Sequence, residues 1–313
     1  MTWLPPAECP GVPRRQRESV AGWRAAIEII AERHGLGSSE LAPCEQGEAI
    51  VWQAGNHVIK LTAPPCAYQI EAEVGCLGAA HGKLNVETPR LVAHGELSGW
   101  PYVVMGRLAG RPLADFWPEL EHRERCRLAR SVGRLSSELH ALPPAGFPPD
   151  WHTFFRTHNA SPRARHAAQG GPPALLDAIE PFLQRVMPSD PGPLVPLHTE
   201  LSEMHVYAEE RRGKLELSGL LDFADARLGP AEYETSCPVE FLFRSEPSLL
   251  REFLLGAGIP EARLDASYSE TLLAWALCHR FSSLSRLLSR VEPWVPERLE
   301  ELAVRLFSVA ELT

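Results

Sequence analysis

Between Leu197 and Pro230 the chain reads LHTELSEMHVYAEERRGKLELSGLLDFADARLGP. His198, Glu200 and His205 open this stretch, and Asp222 and Asp225 stand near its end. Carboxylates and an imidazole that converge can hold a divalent cation and leave one carboxylate to accept a proton. Phosphoryl transfer needs that equipment, because a metal neutralises nucleotide phosphates while a carboxylate orients the attacking hydroxyl. A zinc hydrolase site on His198, Glu200 and His205 ranks lower: there is no His-Glu-x-x-His, and the two histidines flank a loop-to-strand turn.

A hairpin must position these groups. HVYA reads as one strand, EERRGK as a polar turn containing Gly213, and LELSGLLDF as the returning strand. With the turn centred on Gly213 and Lys214, antiparallel pairing sets His205 opposite Asp222.

The elements upstream and downstream differ in texture. Val20 to His34 places Trp23, Ile27 and Ile30 at helical spacing and stops at Gly35. AIVWQA and HVIKLT read as strands around an Ala-Gly-Asn turn, Tyr68 to His81 as a helix, and RLVAHGEL and YVVMGRL as two more strands. After Arg111 helices take over, starting with a stripe of Leu128, Val132, Leu135 and Leu139. PPAGFPPD and QGGPP read as loops, and the segment from Pro143 to Pro173 as the loop that shapes acceptor specificity. SLLREFLLGAG, SETLLAWALCHRFSSLSRLLSR and RLEELAVRLFS read as helical, with His279 and Arg280 assigned to helix packing ahead of the alternative that they contribute to the acceptor site.

The chain has 313 residues, 44% of them apolar and 23% charged, which excludes disordered and collagenous classes. No window approaches the ~18 uninterrupted apolar residues of a spanning helix. The N-terminus lacks the apolar core of a signal peptide, so the expectation is a cytoplasmic protein. Seven cysteines without a CxxC pair read as reduced structural thiols. A net charge of −9 argues against nucleic-acid partners and suits a cationic small substrate. Oligomeric state has no signature here.

From Leu41 to Phe243 the chain resembles the aminoglycoside phosphotransferase family, small-molecule kinases related to choline kinases. His198-Thr199-Glu200-Leu201-Ser202-Glu203-Met204-His205 stands where that family usually carries His-Gly-Asp-Leu-His-x-x-Asn, and Leu221-Asp222-Phe223-Ala224-Asp225 where it carries Ile-Asp-Phe-Gly-Asp. The resemblance implies an α+β, protein-kinase-like bilobal fold, with a small antiparallel-sheet N-lobe over 1–110 that binds nucleotide. A mainly helical C-lobe over 111–313 would carry the catalytic and metal loops and the acceptor site.

By the same resemblance Glu200 takes the place of the catalytic base, His205 and Asp222 those of the metal ligands. Asp225 supports the second metal face or the acceptor, and His198 is the loop's internal scaffold. Lys60, in HVIKLT, corresponds to the lysine that holds the α- and β-phosphates, Glu73 to its helix partner, and Gly47 to a nucleotide-loop glycine. The Gly106 carbonyl and Leu108 amide correspond to the hinge that bonds adenine. The implied cofactors are ATP or GTP with magnesium or manganese. The implied acceptor is a small hydroxylated molecule: an aminoglycoside, another antibiotic or a metabolite alcohol.

Two positions depart from the family pattern: Glu200 adds a methylene to the usual aspartate, and His205 replaces an asparagine. They motivate the alternative of a nucleotide-binding pseudokinase that acts through protein partners.

Overall fold

The computed structural model describes residues 20–37, 41–44 and 49–308. The described residues divide into two compact units. The first runs to Ala109 and adds residues 145–147 and 219–226; the second takes 110–144, 148–218 and 227 onward. Asp222 and Asp225, expected with the helical part, thus belong to the same unit as Lys60 and Glu73.

In the first unit, helix α1 (Val20–Arg33) buries Trp23, Ile27 and Ile30 along one face. Five antiparallel strands follow: β1 (Leu41–Pro43), β2 (Ile50–Ala54), β3 (His57–Leu61), β4 (Leu91–Leu97) and β5 (Trp100–Gly106), in the order β1-β2-β3-β5-β4. Ile50, Trp52 and Ala54 alternate inward along β2, as the two-residue side-chain period requires. The core closes on Trp23 and Trp100, whose rings meet edge-on at 4.9 Å. Helix α2 (Ala67–Ala80) buries Ile70, Glu73 and Leu77. These residues share a face at i, i+3 and i+7, so the apolar pair carries the carboxylate inside with it.

The second unit is helical around two small sheets. One sheet joins β6 (Arg111–Pro112), β8 (Val206–Arg211) and β9 (Lys214–Leu220); the other pairs β7 (Val195–Leu197) with β10 (Arg227–Gly229). The β8–β9 turn sits on Arg212 and Gly213, with φ of 53° and 74°. This is one residue earlier than expected, because a two-residue hairpin turn of this hand needs positive φ at both central positions.

Helices α3 (His122–His140) and α7 (Pro247–Gly256) pack at backbone distance. A Cβ on Gly133 would run into the Phe253 carbonyl, and one on Gly256 into that of Arg130. Gly133→Ala is therefore expected to destabilise the protein by about 1–3 kcal/mol through overpacking, read as a lower urea midpoint at unchanged m-value. An unchanged midpoint would show that the pair can separate at no cost.

The segment from Pro143 to Pro173 is not one loop: it holds helices α4 (Trp151–His158) and α5 (Pro162–Ala168), followed by α6 (Pro173–Val186). The run SETLLAWALCHRFSSLSRLLSR is likewise two helices, α8 (Ala266–Cys278) and α9 (Leu284–Ser289), before α10 (Leu299–Phe307). The break has no glycine or proline. Side chains from elsewhere take the carbonyls at the end of α8: Arg165 and His166 on Leu277, Asn159 on Cys278. A second aromatic core of Trp151, Leu197, Tyr233 and Trp275 lies in this unit.

Among the described residues Cys44, Cys76, Cys126, Cys237 and Cys278 are free. Among the described residues no helix is long and apolar enough to cross a membrane.

Candidate active site

The first unit builds a buried charge triad. Lys60 lies in β3, paired with Val51 of β2 and Val103 of β5, so strands on both sides hold its backbone. Its Nζ donates to Glu73 Oε2 at 2.5 Å and to Asp222 Oδ1 at 2.7 Å. The second carboxylate oxygen of Glu73 accepts the Phe223 N–H at 3.3 Å. Burial by itself would disfavour the ammonium, but Asp222 and Glu73 overrule it and hold Lys60 well above its ordinary range.

Glu73 is raised, because burial outweighs Lys60 there. The short contacts from Lys60 to the two carboxylates support the ion-paired state.

Asp222 reaches Lys60 through its own backbone anchoring. Beyond Ser218 the chain pairs Gly219 with Glu87 in a parallel bridge, and the Leu220 N–H donates to the Glu87 carbonyl at 2.9 Å. Asp222 then takes φ 68°, a left-handed conformation uncommon outside glycine, which marks a constrained turn. Asp225 is buried in the turn that the Ala226 N–H closes onto the Phe223 carbonyl. Gly106 ends β5 with its N–H on the Arg90 carbonyl, and Leu108 follows in irregular backbone. Gly47 lies outside the described residues.

The second unit builds the loop from His198 to His205. The His198 and Thr199 N–H groups donate to the two carboxylate oxygens of Glu234, at 2.7 and 2.8 Å. The Thr199 carbonyl accepts from His279 Nε2 at 3.0 Å, and Thr199 itself has φ 69°. His198 Nδ1 accepts the Glu200 N–H at 3.2 Å, a bond within the loop.

Past Glu200 the loop closes on its own backbone. The Glu200 carbonyl accepts from the Ser202 N–H at 2.7 Å and from His205 Nδ1 at 2.9 Å. A carbonyl only accepts, so in the neutral His205 ring Nδ1 carries the proton and Nε2 the lone pair. That tautomer suits a metal ligand, with the outer hydrogen bond fixing the ring. Lys60, Glu73 and Asp222 are thus assembled in one unit, and His198, Glu200 and His205 in the other.

Two supports of the loop escaped sequence reasoning. Glu234 sits 36 residues beyond His198, in PAEYET, where an acidic residue carries no spacing signal. His279 looked like a packing residue, yet its ring is fully buried against Thr199. Burial holds it near 3, and so neutral, although the bond to Thr199 opposes this.

Burial also pushes the Glu234 carboxyl from 4.5 up to about 7, against its two N–H bonds. Between those values the folded protein holds a proton that the unfolded chain has lost, so this residue's contribution falls as pH rises. The stability advantage of the wild type over Glu234→Gln should therefore shrink by about 3 kcal/mol between pH 4.5 and 7. Urea titrations of both proteins across that window test this, and a constant difference would contradict it.

The profile of the phosphotransferase enzyme family matches residues 51–270. No curated protein sequence matches the chain. Among solved structures, wild-type aminoglycoside 2'-phosphotransferase-IIIa in its GDP complex aligns with a TM-score of 0.68 at 20% identity, over 89% of this chain and 96% of that one. Type VIII aminoglycoside-3'-phosphotransferase aligns at 0.59 and 20% identity, over 82% and 99%. The streptomycin–ATP ternary complex of APH(2″)-IIa aligns at 0.55 and 15% identity, over 79% and 87%. At these identities the alignments speak for a shared fold. With the profile spanning most of the chain over that fold, the protein belongs to the phosphotransferase enzyme family, as a small-molecule kinase of protein-kinase-like architecture.

Proposed function

We propose that the protein transfers the γ-phosphoryl group of ATP or GTP to a hydroxyl of a small molecule, an antibiotic such as an aminoglycoside or a metabolite alcohol. The observation that carries this reading is the Lys60–Glu73–Asp222 triad, a cation held by two carboxylates at the positions that chain order assigns to phosphate and metal binding. The Lys60 ammonium would meet the α- and β-phosphates, with Glu73 fixing its direction. The Gly106 carbonyl and Leu108 amide would meet the adenine or guanine edge, and Gly47 would border the phosphates. The first unit would then be the nucleotide-binding lobe and the second the acceptor lobe. Nucleotides in the related structures, GDP and ATP among them, favour this assignment.

Glu200 would orient the acceptor hydroxyl and take its proton, while Asp225 supports the acceptor side. His205 Nε2 and the Asp222 carboxylate would hold a divalent cation, and the tautomer set by the Glu200 carbonyl fits that role. Such an ion supplies charge neutralisation at the phosphates. Imidazole in the donor set favours manganese over magnesium, because magnesium prefers hard oxygen ligands. A nucleotide-consuming enzyme would work where nucleoside triphosphates are, in the cytoplasm.

The pseudokinase alternative has no comparable support, since a degraded site has no cause to keep the Lys60 triad paired. The test is nucleotide consumption by the purified protein with hydroxylated acceptors, in magnesium and in manganese, against Asp222→Ala. Acceptor-dependent turnover that vanishes in the variant is the expected result. Nucleotide binding without turnover in either metal across the panel would overturn it.

A further inference from the structure

The helical unit concentrates positive charge that the residues above do not use. From Trp151 to Gly171 the chain has Arg156, Arg163 and Arg165 and no Asp or Glu. From Cys278 to Val291 it has Arg280, Arg286 and Arg290, again without an acid, in a protein of net charge −9. Arg163 pairs with Asp177 and Arg286 with Glu240. Three other cations, Arg165, Arg280 and Arg227, bear on a single imidazole, His158, which burial and these charges together push down to about 4.

Phe154 sets the arrangement. Its ring stacks on His158 with centroids 5.8 Å apart and planes within 4°, and the Arg227 guanidinium lies 3.7 Å from its centroid. Arg227 meets Asp150 at 3.1 Å. Arg165 is held by the carbonyls of Leu277, His279 and Ser282 and by Asn159 Oδ1, dipoles that leave its charge in place. His158 Nε2 and Arg165 Nε are buried and lack hydrogen-bond partners, and buried polar atoms of that kind call for one.

The cluster is also close in contacts to the loop that bears Glu200. The Arg280 N–H donates to the Tyr233 hydroxyl at 3.2 Å, the Tyr233 ring lies 4.9 Å from that of His279, and His279 bonds the Thr199 carbonyl.

We propose, on the basis of the phosphotransferase reading, that Arg165, Arg227 and Arg280 with His158 form an anion subsite of the acceptor site. This narrows the acceptors named above to those that carry a carboxylate or phosphate besides the hydroxyl, and so favours an anionic metabolite alcohol over a polycationic aminoglycoside. The acidic net charge argues the other way only at long range, since charges beyond a Debye length of about 8–10 Å are largely screened. A polycation seated here would meet guanidinium groups directly.

The test uses the full chain saturated with a non-hydrolysable ATP analogue, so that phosphate-bearing probes do not report on nucleotide binding. Calorimetry compares glycerol, D-glycerate, glycerol 3-phosphate and kanamycin. At least one anionic probe is expected to bind about tenfold or more tighter than glycerol, the scale of one or two charge-assisted hydrogen bonds, and kanamycin weaker than either anion. D-glycerate against glycerol 3-phosphate tells carboxylate from phosphate. Arg280→Gln should erase the advantage; Arg227→Gln, checked for folding by circular dichroism because Arg227 is buried, should do the same.

Anions that bind no better than glycerol, that bind equally to both arginine variants, or that bind more weakly than kanamycin would overturn the subsite. Failure of the ATP analogue to bind would overturn the phosphotransferase reading instead. Nucleotide binding with no anion preference overturns the subsite alone.

Discussion

Lys60→Met is expected to lower stability by about 3–5 kcal/mol and to abolish measurable nucleotide binding, the cost of removing one partner from a buried ion pair. Glu73 is 1% exposed, and without Lys60 its remaining contact is the Phe223 N–H. Burial already raises Glu73, and without Lys60 to oppose it the carboxyl would take up a proton more readily still rather than stay ionised and unpaired. A carboxyl raised in the folded state loses its stabilising proton as pH rises, so the penalty of the variant should be smaller at pH 5 than at pH 8. Urea unfolding at both pH values, with calorimetric nucleotide binding, checks the two parts. A variant as stable as the wild type at pH 8 would mean that solvent already supports the two carboxylates.

Glu200→Gln is expected to cut turnover by about 10²–10⁴-fold, the range that a positioned general base contributes, with nucleotide affinity unchanged. Glu200→Asp is the more informative partner. The loop holds the Glu200 backbone from both sides, through His198 Nδ1 on its N–H and through Ser202 and His205 on its carbonyl. In so constrained a loop a carboxylate withdrawn by one methylene moves by about 1 Å, and such a displacement costs roughly a hundredfold where positioning is the catalytic device. Single-turnover rates of the three proteins settle the order. An aspartate variant as fast as the wild type would show that the loop adjusts, and that the extra methylene in this chain is neutral.

The triad and the loop differ in how readable they were. Lys60 and Glu73 were legible only through the resemblance and the order of the motifs that follow them; the fold buries both, Lys60 among the last three residues of its strand and Glu73 beside Ile70 and Leu77 on the inward face of its helix. His198, Glu200, His205, Asp222 and Asp225 were legible from local spacing alone. So were the hairpins, to within the one-residue shift of the turn to Arg212 and Gly213, where adjacent polar residues gave no ground for choosing between two centres.

Glu234, His279 and Arg165 had no such signal. Each acts on backbone groups that only the folded chain brings to it: Glu234 on the N–H groups of His198 and Thr199, His279 on the Thr199 carbonyl, and Arg165 on the carbonyls at the end of α8. The same holds for the interruption of α8 at His279, which a helical pattern without glycine or proline conceals. By itself, then, the sequence determined the elements, the order of the chemical groups and the family, since periodicity and motif spacing are local properties. The tertiary structure decided which charges are buried together, which tautomer His205 adopts and where the arginines of the helical unit converge. Burial and long-range hydrogen bonding depend on neighbours that lie far away along the chain.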